Sequence, residues 1–240
     1  MGYGVNQSIG RRKHEGNAVV TTSRWEPRRL SAVAVELPEG VTPPGTRGRI
    51  LLAALQLFAE YGFHGTSIRD LATAAGINSA TLYAHYPSKE HVLAELVLLG
   101  HEELHRRLQQ ALIEAPSGPA EQLVALVRAQ VGAHADFPLL ALVANAELHA
   151  LSSERAAPAL ALREQSRQMG LRVLRLGVER GVFHVPDVML AGTAIGSMGM
   201  QVANWFGPDQ PYTRDQVADA YAAFALQIVG ASASVPAKKG

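Results

Sequence analysis

Apolar residues recur at intervals of three and four along most of the chain after residue 45, which is the spacing of one face of an α-helix. The first such run stops at Gly62, a residue type that often ends helices. The positions that share its apolar face are Ile50, Leu51, Ala54, Leu55, Phe58 and Tyr61. This pattern predicts a first amphipathic helix that ends at Gly62.

Two short helices joined by a tight turn are predicted next. Ser67 and Asp70 have the spacing of a capping box, which marks the start of a helix. Gly76 permits a turn, and Asn78 is a good N-cap for a third helix that runs to about His85. The Pro-Ser pair that follows ends the third helix and caps a fourth. A short capped helix, a glycine turn and a second short helix form the spacing of a DNA-reading helix-turn-helix.

The chain beyond residue 90 keeps its helical pattern and is divided by proline and glycine breaks. The breaks fall at residues 116–119, 137–138, 157–158, 181–186 and 207–211. They leave roughly six further helices, and no segment alternates as a strand does. We therefore predict an all-α fold with an N-terminal three-helix domain, residues 46–90, and a larger C-terminal helical domain, residues 91–230.

The two chain ends lack a regular apolar period. Residues 1–45 carry prolines, glycines and basic clusters, so we expect a disordered basic arm. Such an arm can follow the DNA backbone or enter a minor groove. The alternative is a solvated tail or a misannotated start. Residues 231–240 are small, polar or basic, and we expect a frayed tail.

Composition excludes several classes of protein. The 240 residues are 48% hydrophobic, enough to build a core, and contain no cysteine, which removes disulfides, thiol nucleophiles and thiolate metal sites. No apolar stretch approaches the ~20 residues that span a bilayer, and no signal peptide is evident. We expect a cytoplasmic protein that does not enter the membrane. The net charge of +1 neither requires nor forbids a nucleic-acid partner.

The outward positions of the predicted third helix carry groups that suit DNA. Asn78, Ser79, Thr81, Tyr83 and His85 are short or planar hydrogen-bonding residues that can approach base edges and phosphates. The same residues have structural uses, since Asn78 caps a helix in any helical protein and Tyr83 can pack against a neighbour. The helix-turn-helix as a whole is a more specific signal than any one of its residues.

The segment from residue 58 to residue 90 resembles the TetR family of transcriptional regulators. The resemblance rests on Phe58–Phe63, Thr66–Ala72, Ala75–Asn78 and Leu82–Glu90, with Asn78 where the family usually has serine and Tyr86 where it usually has phenylalanine. It implies a homodimer that binds double-stranded operator DNA and a C-terminal domain for ligand binding and dimerisation. It implies phosphate contacts from Thr46 or Arg47 at the first helix, from Thr66 and Ser67 at the second, and from Tyr83 and Lys89. It implies base reading by Asn78, Ser79, Ala80 and Thr81.

Small residues recur on one predicted C-terminal helix at a spacing that lets another helix approach closely. They are Gly192, Gly196, Gly199 and Ala203. In the TetR family the last two helices pair with their symmetry mates in a four-helix bundle. The resemblance therefore implies a dimer interface that also uses apolar residues of the last helix, namely Tyr221, Phe224 and Ile228.

A second, shorter resemblance concerns the ligand. Residues 202–209 and 217–221 resemble the TetR-like regulators that sense acyl-coenzyme A. This implies an acyl-coenzyme A or another lipid-like effector in an apolar tunnel lined by Leu126, Phe137, Leu142, Met169, Val173 and Met198. Polar residues within apolar runs are candidates to orient it. They are Asn145, His149, Gln168 and Arg172. Plain core or surface packing is the alternative for each.

A competing motif lies in the fourth predicted helix. His101-Glu102-x-x-His105 matches the pattern in which two histidines one turn apart bind zinc and the glutamate activates water. It follows a helix-turn-helix directly and precedes two arginines on a polar face, so we do not expect an enzyme, a catalytic residue, a metal site or a cofactor. Our hypothesis is a repressor released from an inverted-repeat operator by an apolar ligand. The alternatives are a DNA-binding regulator without a ligand and a zinc hydrolase.

Overall fold

The computed structural model describes residues 33–40 and 42–231. Within that part of the chain the regular structure is entirely helical, which confirms the predicted all-α class. The helices are α1 (Gly45–Gly65), α2 (Ile68–Ala74), α3 (Ser79–His85), α4 (Lys89–Glu114), α5 (Pro119–Asp136), α6 (Pro138–Ala146), α7 (Ser153–Glu179), α8 (Val188–Trp205) and α9 (Arg214–Ile228). A short 3₁₀ turn, Leu148–Ala150, joins α6 to α7.

The N-terminal domain packs α1, α2 and α3 against the beginning of α4. Phe58, Leu71, Leu82 and Val92 meet in its core and are almost fully buried. The regular part of α1 is interrupted at Gly62, where φ is +74°, a left-handed conformation that glycine adopts without strain. The predicted end of the first helix therefore coincides with a real break in its geometry.

The C-terminal domain is arranged around α5, which packs against α9, α4 and α8. Its core includes Leu108 of α4, Leu126 of α5, Leu174 of α7 and Leu226 of α9. The helix α4 is 26 residues long and contributes buried residues to both domains. None of the described helices is both long and apolar enough to cross a membrane.

Two boundaries differ from the prediction. Pro158 lies inside α7, which begins at Ser153, so the break expected at residues 157–158 is displaced to the turn before the helix. A proline near a helix start removes one backbone hydrogen bond but leaves the downstream turns intact. The segment expected to be disordered also includes Val33, Val35 and Leu37, which pack against the core of the N-terminal domain. Residues 1–32 and 232–240 lie outside the described residues.

Candidate functional site

The helix-turn-helix is formed by α2, α3 and the turn between them. Ser67 Oγ accepts a hydrogen bond from the Asp70 amide, and the Asp70 carboxylate accepts one from the Ser67 amide, so the predicted capping box is present. Gly76 has a φ of +67° in the turn. The Asn78 side chain then caps α3 by accepting from the Thr81 amide at 2.8 Å. These local contacts fix the direction of α3 relative to α2.

The outer side of α3 is accessible. Asn78, Ala80, Tyr83 and His85 are exposed, and Ser79 and Thr81 are half-buried. The side chain of Tyr83 is 53% exposed, which argues against the alternative that it packs against a neighbour. Leu82 faces the opposite way and is fully buried. The predicted base-reading residues, 78–81, therefore all keep some access to solvent at the start of α3, and an α-helix fits a major groove.

Two predicted phosphate contacts are directed into the protein. Thr66 is 3% exposed, and its hydroxyl donates to the backbone oxygens of Leu57 or Gly62. Lys89 Nζ donates to the Phe63 oxygen at 2.6 Å and the Thr66 oxygen at 2.7 Å, and it lies over the Phe63 ring. Both side chains donate to backbone carbonyls in α1 or just after it. Thr66 and Lys89 hold α1, α2 and α4 together in this structure.

The remaining phosphate candidates keep some access to solvent. Ser67 is exposed, and Thr46 is half-buried with its Oγ1 3.2 Å from an Arg49 nitrogen. Arg47 forms an ion pair with Glu95 of α4 at 2.5 Å and is hydrogen-bonded to the Tyr86 hydroxyl. These two hydrogen bonds raise the pKa of Arg47 above its ordinary value. Its side chain is still half-exposed, so it retains donors for a phosphate.

A cavity of about 320 Å³ lies inside the C-terminal domain. Five helices, α4 to α8, contribute to its wall, which is mostly apolar and includes Leu104, Leu126, Leu140 and Ile195. A volume of this size lies within the range of small-molecule sites. The domain therefore contains a space of the kind that the sequence predicted.

Several polar groups interrupt the apolar wall. Gln130 of α5 donates to the Gly196 oxygen at 2.9 Å, and His134 Nδ1 lies 2.8 Å from the Gln130 oxygen. Burial lowers the pKa of His134. His101 of α4 is 5% exposed; burial and the nearby charges of Arg163 and His134 lower its pKa to about 4. Both imidazoles are therefore neutral at pH 7.

The buried carboxylate of Glu103 lies on the same cavity wall. Glu103 accepts from Arg106 and from Arg107, and Arg107 also donates to Asp136 at 2.6 Å. Burial raises the pKa of Glu103, but the hydrogen bonds from the two arginines outweigh burial and leave the pKa below its ordinary value. Arg214 of α9 pairs with Asp136 as well. This ion network ties α4, α5 and α9 together beside the cavity.

Only part of the predicted ligand set reaches the cavity. Leu126, Phe137 and Asn145 line it. The predicted residues on α7 miss the cavity because of their position around the helix. The α7 residues that line it are at positions 163, 166, 167, 170, 171 and 174, and the residues between them point elsewhere. Gln168 and Arg172 border a separate depression, and Met169 and Val173 are buried in the core. Leu142 packs against the N-terminal core, His149 is exposed, and Met198 is half-buried and does not line the cavity.

The small-residue stripe of α8 faces its own subunit. A Cβ on Gly192 would lie 2.8 Å from Leu171 Cδ2, and one on Gly199 would lie 2.6 Å from Gln130 Cδ. Gly196 lines the cavity, and Ala203 is 1% exposed. Gly192 and Gly199 thus pack closely on α7 and α5 of the same chain. The dimer contact expected of the four residues stays a prediction. On α9, Phe224 and Ile228 are exposed, whereas Tyr221 is half-buried against Trp205.

Known protein families match both halves of this architecture. The family model described as "Bacterial regulatory proteins, tetR family" matches residues 50–96, and the model described as "Tetracyclin repressor-like, C-terminal domain" matches residues 116–229. The HTH-type transcriptional repressor KstR2 of Mycobacterium tuberculosis is 32% identical over 182 residues, which cover 75% of this chain and 90% of the relative. The chain belongs to the TetR family of transcriptional regulators.

Solved TetR-family structures share this fold. The ketosteroid transcriptional regulator KstR2 of Mycobacterium tuberculosis superposes with a TM-score of 0.70 at 31% identity, over 77% of this chain and 95% of that one. PfmR from Thermus thermophilus gives 0.68 at 37% identity, over 75% and 97%. AibR, solved with isovaleryl coenzyme A and operator DNA, gives 0.68 at 21% identity, over 78% and 100%, which shows a common fold.

The zinc-hydrolase alternative gains no support in this TetR-family chain. His105 Nδ1 lies 3.0 Å from Ser166 Oγ on α7, and His101 is buried at the cavity. Across residues 33–40 and 42–231, no group of three or more histidine, aspartate or glutamate side chains is placed to hold a metal ion. The sequence motif singled out His101 as a zinc ligand. It missed His134, Gln130 and Arg163, which belong to no motif and are brought to the cavity wall by helix packing.

Proposed function

We propose that this protein is a homodimeric repressor that binds an inverted-repeat operator and is released when an apolar ligand enters the cavity. The observation that carries the proposal is the position of α4. Val92 and Leu96 in its first half are buried in the DNA-binding core, and His101 and Leu104 in its second half line the cavity. A ligand that displaces the cavity half of α4 must therefore disturb the support of the helix-turn-helix.

The helix α6 gives a second connection. Its residues Leu140 and Ala144 line the cavity, and a Cβ on Gly100 of α4 would lie 2.9 Å from Ala144 Cβ, so the two helices cross closely there. At the end of α6, Glu147 lies beside Gly62, where a Cβ would be 3.3 Å from its Oε1. Movement of α6 is thereby transmitted to the break in α1.

The start of α4 is also tied to the start of α7. The Glu90 carboxylate accepts from the Ser152 amide at 2.8 Å and pairs with Arg155 at 3.3 Å. These hydrogen bonds lower the pKa of Glu90. The DNA-binding domain is thus held by polar contacts to α7 as well as by apolar contacts to α6, and both helices form part of the cavity wall.

The cavity suits an acyl-coenzyme A or another lipid-like effector. Its walls are apolar, whereas Arg163 of α7 lines it and is exposed to solvent, beside Arg167, which is paired with Glu164. Guanidinium groups bind phosphates well, so a ligand with an apolar tail and an anionic head fits this division. KstR2, the relative named above, is a repressor, which supports repression as the direction of control.

The dimer would use the exposed apolar surface of α8 and α9. Leu190 is 70% exposed and Phe224 is 47% exposed, with Ile228 nearby in sequence at 39%. Apolar side chains of this size on two helices are a common mark of a subunit interface. A dimer that reads two major grooves needs half-sites about 34–36 Å, or a multiple, apart.

Fluorescence anisotropy tests the proposal on DNA from upstream of the protein's own gene, with scrambled DNA of equal length as the control. Binding should prefer the upstream DNA and be reversed by a long-chain acyl-coenzyme A. Preference without reversal by acyl-coenzyme A or fatty acids would leave a regulator without this ligand class. Equal binding to both DNAs at physiological salt would contradict an operator at that site.

A further inference from the structure

Two histidines face the cavity from neighbouring helices. His101 on α4 and His134 on α5 both line it, and each is at least nine-tenths buried. The backbone oxygen of Gln130 can only accept, so His134 Nδ1 donates to it. The neutral ring of His134 therefore carries its lone pair on Nε2. The orientation of the His134 ring is therefore fixed by its hydrogen bond to the backbone of α5.

His101 has no such partner. Its Nε2 atom is buried and makes no hydrogen bond to any residue that the structure describes. Burying a polar group unpaired is unfavourable, and folded proteins retain few such groups. His101 is nevertheless on the wall of a cavity that is large enough for a ligand. An imidazole in this position is available to a molecule that enters the cavity.

The surroundings of His101 select the chemistry of its partner. Arg163 lies near enough for its positive charge to act on His101, and the carboxylate of Glu103 is already occupied by Arg106 and Arg107. The local field therefore favours an acceptor oxygen in the ligand. The wall around it is apolar, with Leu104 among its side chains, which makes full charge deep in the cavity costly.

We propose that His101 donates a hydrogen bond to an uncharged oxygen, a ketone or a hydroxyl, carried on the apolar body of the effector. This inference rests on the proposed function of the cavity and adds a chemical class to it. A hydrocarbon of the same shape fills the cavity but leaves the imidazole unpaired. Sites built to hydrogen-bond a ligand discriminate against analogues that lack the group.

A matched pair of small rigid probes isolates this hydrogen bond. The probes are trans-1-decalone and trans-decalin, which differ by one carbonyl, and their binding to the full-length protein is measured by equilibrium partitioning with headspace gas chromatography. The ratio of the two dissociation constants is compared between wild type and His101→Leu. Using the ratio cancels the different hydrophobicity of the probes and isolates the contribution of His101.

We expect the ratio to shift by about tenfold against the ketone in His101→Leu, equivalent to about 1.4 kcal/mol. The control His149→Leu changes an exposed histidine and should keep the wild-type ratio. An unchanged ratio in His101→Leu would overturn the role of His101 and leave the cavity as the effector site. Binding of neither probe to wild type would overturn the cavity itself as the effector site, and this proposal with it.

A measurement on the wild-type protein keeps the proposal testable if His101→Leu does not fold. Histidine labelled with ¹⁵N reports the hydrogen bonding of each ring nitrogen. Saturating decalone should move one Nε2 resonance, whereas decalin should leave its hydrogen-bonded state unchanged. Identical spectra with the two probes would overturn the hydrogen bond.

Discussion

Replacing His101 by leucine should reduce the loss of stability that mild acid causes. Burial lowers the pKa of His101 to about 4 in the folded protein, against an ordinary value of about 6.5 for the unfolded chain. Between these two pH values His101 is protonated in the unfolded chain but neutral in the folded protein. The free energy of unfolding therefore falls as the pH falls from 7 to 4. Above about pH 6.5 this contribution is fully present.

The size of the effect follows from the two pKa values. The difference corresponds to about 3 kcal/mol over the whole range, of which about 2 kcal/mol is lost between pH 7 and pH 5. The range from pH 7 to pH 5 is the more useful one for the measurement. The pKa values of Glu90 and Glu103 are lowered, so these carboxylates titrate below this range. Burial also lowers the pKa of His134 and His105, which gives both proteins a shared background of the same sign.

Urea denaturation at pH 7, 6 and 5, at one fixed protein concentration because the protein is proposed to be a dimer, measures the effect. The difference in unfolding free energy between His101→Leu and wild type should grow in favour of the variant by about 2 kcal/mol from pH 7 to pH 5. His149→Leu should follow wild type at each pH. Parallel pH dependence of His101→Leu and wild type would refute the buried neutral state of His101.

Three further predictions concern the DNA-binding domain and α8. Lys89→Met should lower the unfolding free energy by roughly 1–3 kcal/mol, because two carbonyls lose a charged donor, while the salt slope of operator binding stays unchanged. A reduced slope would restore Lys89 as a phosphate contact. Asn78→Ala should lower the unfolding free energy by about 1 kcal/mol, because α3 loses its N-cap, and should weaken operator binding in anisotropy titrations. Unchanged stability would show that the cap contributes nothing. Gly199→Ala should displace the Gln130 amide from the Gly196 oxygen and so be less stable in urea melts, by about 1 kcal/mol, than Gly196→Ala, where a Cβ meets open space. Equal stabilities would contradict the close packing.

The helix-turn-helix could be predicted from sequence because its signals are local. A capping box at Ser67, a left-handed glycine at position 76 and an N-cap at Asn78 each act within a few residues. Such contacts do not depend on how the rest of the chain folds. The predicted exposure of the α3 surface agrees with the structure for the same reason. The inward direction of Thr66 could not be predicted, because its carbonyl partners lie at the end of another helix.

The residues that line the cavity could not be predicted fully from the sequence. Which residues face it depends on the rotation of each helix and on contacts between helices far apart in the chain. On α7, positions 163, 167 and 171 line the cavity and the residues that directly follow them do not. The predicted Gln168 and Arg172 each lie one position beyond a lining residue and therefore miss the cavity. The glycines of α8 signal a close approach of another helix, and at Gly192 and Gly199 a helix of the same chain makes such an approach. Gln130 on α5 supplies that contact from 69 positions away in the chain at Gly199.

The shared helix α4 limits which molecules can act as effectors. Val92 near its start and Leu108 near its end are both buried, and packed cores change between discrete arrangements and do not deform gradually. A ligand releases DNA only to the extent that it binds the arrangement with low DNA affinity more tightly than the other. A typical coupling of about 1–3 kcal/mol changes operator affinity by about 5–150-fold, and operator DNA must weaken ligand binding by the same factor. A molecule that fills the cavity equally well in free and DNA-bound protein is therefore no inducer, however tightly it binds.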